Sequence, residues 1–131
     1  MKKCIQSVFI FILFLSLSGF AQTATKGWPQ MKAFHSFMAA SFHPTEEGNF
    51  APLKAKADSL FITAQLWQAS PIPSNYKPDE TKAALAKLVT QCGEINKSVE
   101  ANAADADLKK MITDAHDIFH YITGECKKAN E

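Results

Sequence analysis

Apolar residues recur along this chain at three- and four-residue intervals, the repeat of an amphipathic helix, and no segment keeps the alternation of a strand. Trp28-Pro29 predicts the start of a first helix, since proline suits the first helical turn. Met31, Phe34, His35, Met38 and Phe42 then mark one stripe, and Pro44 is expected to end it. His43-Pro44-Thr45-Glu46-Glu47-Gly48-Asn49 reads as a loop, with Asn49 capping a second helix. That helix turns Phe50, Leu53, Ala57, Leu60, Phe61, Ala64 and Trp67 to one side. Ser70 to Pro78 holds three prolines and forms a longer connection. Pro78, Asp79 and Glu80 open a third helix with negative charge at the positive end of its dipole. Its inner face is Leu85, Leu88, Val89, Cys92, Ile95 and Val99. After a break at 102–105, a fourth runs through Leu108, Met111, Ile112, Ala115, Phe119, Ile122 and Cys126.

Four amphipathic helices of similar length predict an all-α fold, an antiparallel four-helix bundle over residues 28–131. Ahead of it, Met1-Lys2-Lys3, an apolar run from Ile5 to Phe20 and the small-residue site Gly19-Phe20-Ala21 have the form of a secretory signal peptide, residues 1–21, cleaved after Ala21. Residues 22–27 are a short polar tail. The expected location is periplasmic or secreted, with no stable membrane span after cleavage.

Removing 21 of the 131 residues leaves 110, enough for one core and too few for two. The full chain has 14 basic and 13 acidic residues; losing Lys2 and Lys3 leaves 12 against 13. Every basic residue is lysine. With neither basic excess nor arginine, the chain lacks the electrostatic term for nucleic-acid binding. Cys92 and Cys126 stand about 18 Å apart along an antiparallel hairpin, too far to bridge. Glycine-rich phosphate loops and the turn of a nucleophile elbow are absent, so an enzyme is not expected.

The chemistry lies with four histidines, His35, His43, His116 and His120. His116 and His120 are four residues apart and share one helix face. Antiparallel packing brings His35 level with His120 and places His43 nearer Ile112, so that imidazoles gather along one seam between helices one and four. Met31 and Met38 flank His35. Thioether with imidazole favours copper, especially Cu(I), whereas imidazole with a carboxylate such as Glu47 suits zinc or nickel.

The pattern resembles the small periplasmic four-helix cytochromes, the cytochrome c-prime group and its soluble b-type relative. The likeness spans nearly all of the mature chain and includes Met31 on the first helix, the proline-containing crossing and His120 late in the fourth. It implies His120 as proximal haem ligand and Met31 or His35 as distal one. The Cys-x-x-Cys-His attachment motif is missing, with His116 and Phe119 at the positions of its cysteines, so the haem it implies is non-covalent. The leading expectation is an exported protein that binds a transition metal through His35, His43, His116, His120 and Glu47, for storage, sensing or delivery. The alternatives are non-covalent haem at His120 and Met31, or a helical module that docks a protein partner and holds no ligand.

Overall fold

A computed structural model describes residues 27–129. The signal peptide, its cleavage site and most of the polar tail lie outside the described residues. Four helices follow in order: α1 (Pro29–Glu46), α2 (Ala51–Ala69), α3 (Pro78–Glu100) and α4 (Asp105–Gly124). Among the described residues there is no strand, and no helix is long and apolar enough to cross a membrane.

Each helix starts and stops for a local reason. Pro29, Pro52 and Pro78 sit in first turns, where the missing N–H costs nothing. Asp79 and Glu80 on α3, and Asp105 and Asp107 on α4, place negative charge at the positive dipole end. α1 and α3 end in the same motif. Gly48 and Asn102 take left-handed φ values of 84° and 53°, which turn the chain back on the last helical turn. Asn49 N–H then donates to the Pro44 carbonyl at 2.8 Å, and Ala103 N–H to that of Ser98 at 2.9 Å.

Pro44 therefore does not end α1, contrary to the sequence reading. It lies within the last turn, where its carbonyl accepts from both Glu47 and Asn49. The motif needs an acceptor at that position and no donor, so proline is compatible with it. His43 is consequently helical, and the loop shrinks to the few residues around Gly48. Asn49 caps from one residue further out than expected: Phe50 is the N-cap of α2, and the Asn49 Oδ1 accepts from Ala51 N–H at 3.2 Å. At the other end of the chain α4 stops at Gly124, short of Cys126.

The helices form a ring in which each packs against its neighbours in sequence and α4 returns to α1. The backbones of α1 and α4 approach each other less closely than those of the other three neighbouring pairs. One end of the core is aromatic. Trp28 meets the edges of Trp67 and Tyr76, with ring centroids 5.5 and 5.2 Å apart, and donates its Nε1–H to Ser70 Oγ at 2.8 Å. The segment after α4 closes this end. Lys77 N–H donates to the Cys126 carbonyl at 2.8 Å, Lys128 N–H to that of Asn75 at 2.9 Å, and Tyr76 and Lys127 form an antiparallel bridge.

Cys92 and Cys126 are both free and buried, as helix counting required. Cys92 is mid-core on α3, where burial pushes its thiol up from 9.0 to about 12. A raised folded value stabilises the fold fully below the unfolded thiol pKa and is lost as pH climbs from about 9 toward 12. Native protein at mildly alkaline pH should therefore leave Cys92 unalkylated over hours, with full labelling once denaturant is added. Mass spectrometry of iodoacetamide-treated protein reads this directly, and rapid native labelling would contradict the buried placement.

Candidate functional site

The seam between α1 and α4 is where the histidines meet. The two helices exchange aromatic rings in an alternating ladder. His35 of α1 stacks on Phe119 of α4 at 5.0 Å and 6°, and Phe42 of α1 stacks on His116 of α4 at 3.8 Å and 10°. Numbers rise on one helix as they fall on the other, so the pair is antiparallel. Phe34, Phe42 and Phe119 are buried because they lie on the apolar stripes. His35 and His116 lie at the stripe edges and lean over them. His35 is exposed, which corrects its placement on the buried stripe of α1, and His116 is half-buried.

His116 and His120 converge. Their Nε2 atoms are 3.1 Å apart with the rings near perpendicular, centroids 4.4 Å apart. At that distance one imidazole donates to the other when both are neutral, and a second proton would set two donors face to face. His116 responds accordingly. Burial, and after it the charge of His120, hold its pKa below the ordinary value of 6.5, and His43 acts in the same direction. Asp117 and Glu46 pull it the other way. Two of the groups acting on His116 thus come from the last turns of α1.

His43 and Glu46 are themselves neighbours, with Nδ1 3.7 Å from Oε2 and both side chains more than half exposed. His43 lies within electrostatic reach of His116, about a turn along α4 from its expected level beside Ile112. Glu46, and not Glu47, is the carboxylate beside it; Glu47 is the exposed C-cap of α1. Continuing the helix through Pro44 is what brings Glu46 under His43. As they stand, no three His, Cys, Asp or Glu side chains among the described residues are grouped closely enough to hold an ion.

The methionines lie elsewhere. Met38 is fully buried, and the Met31 sulfur accepts from the Tyr76 hydroxyl at 3.8 Å. A haem between Met31 and His120 does not fit this arrangement. The interior beside α4 is filled by Phe34, Trp67 and Phe119, with centroids 5.4 to 5.9 Å apart, and His120 is exposed beside His116. A groove of about 440 Å³ between α3 and α4, lined by Glu80, Ala83, Ala84, Lys87, Asp117, Ile118 and Tyr121, contributes neither an imidazole nor a thiol.

No protein-family model, curated protein or solved structure matches this chain.

The ring ladder is what sequence reasoning missed. Its signal is present, since His35 and Phe42 are seven apart and His116 and Phe119 three apart, each a same-face spacing on its helix. Which ring meets which depends on how the helices are rotated against each other, and spacing within one helix does not set that.

Proposed function

We propose that this protein binds a transition-metal ion on the α1/α4 seam, with His116 and His120 as the chelating pair and His43 the third imidazole. The observation that carries this reading is the 3.1 Å separation of the two Nε2 atoms. An ion at the usual 2.0–2.1 Å from each nitrogen would see them at an angle of about 98°, between square-planar and tetrahedral values. The two nitrogens stand at the separation a chelated ion requires, and a turn of the rings that gives up their mutual hydrogen bond would aim both lone pairs at it. His43, exposed and within electrostatic reach of His116, would be the third nitrogen if the side chains move together on binding, and Glu46 beside it offers a carboxylate for its Nδ1–H, as outer partners of metal-bound histidines do. The lowered His116 pKa supports the same role, because a neutral imidazole is the ligand form.

The signal-like N-terminus gives such a protein a place outside the cytoplasm, periplasmic or secreted, where it would store, sense or deliver the ion without catalysing a reaction. Titration calorimetry with Cu, Zn and Ni salts tests this on tag-free wild type, His120→Ala, His43→Ala and His35→Ala. His120→Ala should lose at least the roughly 10–100-fold that removing an outer-shell partner costs, His43→Ala should lose less, and His35→Ala should bind as wild type. Affinity should weaken as pH falls below about 6.5, where protons compete for the same lone pairs. No binding at micromolar metal would sink the reading and leave a partner-docking helical module as the better one.

A further inference from the structure

We infer that the ion this seam selects is cupric copper, Cu(II), and that cuprous copper is discriminated against. The inference rests on the metal-binding reading above and names the ion of that same site. It follows from where the described sulfurs lie. Met38 is fully enclosed in the core, and the Met31 sulfur is engaged by Tyr76. Met111 is half-buried, packed against the core, and precedes His116 by five residues, about 140° away around the helix at 100° per residue. Cys92 is buried within α3, and Cys126 is buried beyond the end of α4. The soft donors that favour Cu(I) are thus committed away from the chelating pair.

Phe42 covers one face of His116, and the polar groups that act on it are nitrogen and oxygen donors. His116, His120 and His43 supply imidazoles, and the carboxylates acting on His116 are Glu46 and Asp117. Two carboxylates favour a doubly charged ion over a singly charged one by simple Coulomb attraction. Among divalent first-row ions a site of nitrogen and oxygen donors binds Cu(II) most tightly. The exposure of His120 and His43 leaves coordination positions open to water, which the tetragonal geometry of Cu(II) accommodates.

The test is a pair of competition titrations on the full mature chain, one with Cu(II) against an amino-acid chelator and one with Cu(I) held by an aromatic diimine chelator under anaerobic reducing conditions. Cu(II) should bind at least tenfold more tightly than Zn(II) or Ni(II), and the protein should fail to withdraw Cu(I) from its competitor. The electron paramagnetic resonance spectrum of the Cu(II) form should show coupling to imidazole nitrogens, lost in the His116→Ala/His120→Ala double variant. Met31→Leu and Met38→Leu, near-isosteric changes, should leave Cu(II) affinity unchanged. Tighter binding of Cu(I), a preference for Zn(II) through the same histidines, or weakened copper binding in Met31→Leu would overturn this inference while leaving the metal-binding reading intact. Failure of every ion to bind would overturn both.

Discussion

Trp67→Ala should cost about 3–5 kcal/mol, the range for truncating a large buried aromatic. Such a loss is a large part of the 5–15 kcal/mol that holds a typical domain. Trp67 has no exposed surface, and its ring lies 5.4 to 5.9 Å from those of Trp28, Phe34 and Phe119. Phe34 lies on α1, Phe119 on α4, and Trp28 is the N-cap of α1, so one α2 side chain supports both helices of the histidine seam. A domain of this size shifts its melting temperature by roughly 4–8 °C per kcal/mol, so thermal circular dichroism should show a fall of more than 10 °C. Trp67→Phe should cost less, because most of the ring contact survives and the Nε1 it removes is buried without a hydrogen-bond partner. A change of only a degree or two in the alanine variant would mean that the three-sided ring packing contributes little.

A metal-dependent gain in stability is the second large effect expected of the proposed site. An ion that binds the folded chain alone adds about 2.7 kcal/mol when present at a hundred times its dissociation constant, or roughly 11–22 °C in melting temperature. His116→Ala/His120→Ala should melt at one temperature with and without metal. The comparison separates chelation from general salt effects, which both proteins would share. An equal rise in the double variant would place the ion elsewhere on the molecule.

How much of this was legible in the sequence depends on what each feature needs. Leu53, Ala57, Leu60, Ala64 and Trp67 are buried on α2 as their spacing requires, and Leu85, Leu88, Cys92 and Ile95 on α3 likewise. A helix that buries one face writes that face into its own periodicity. Pro44 was misread because a missing N–H was weighed without the carbonyl, which the closing turn of α1 uses twice. That one turn determines whether Glu46 or Glu47 stands beside His43. The His116/His120 pair was legible from its i, i+4 spacing. The departure of His35 to Phe119 and the approach of His43 were not, because both depend on the rotation of α1 about its own axis against α4, which no single-helix pattern carries.

The clasp of 126–128 on the 75–77 loop also joins two parts of the chain that lie far apart in sequence. Lys77 gives its N–H to Cys126, Lys128 gives its N–H to Asn75, and Tyr76 pairs with Lys127 between them. Two short segments that belong to no helix thus act as one cooperative unit, in which neither amide is released without the other. The aromatic end of the core is closed by a seal that opens as a whole.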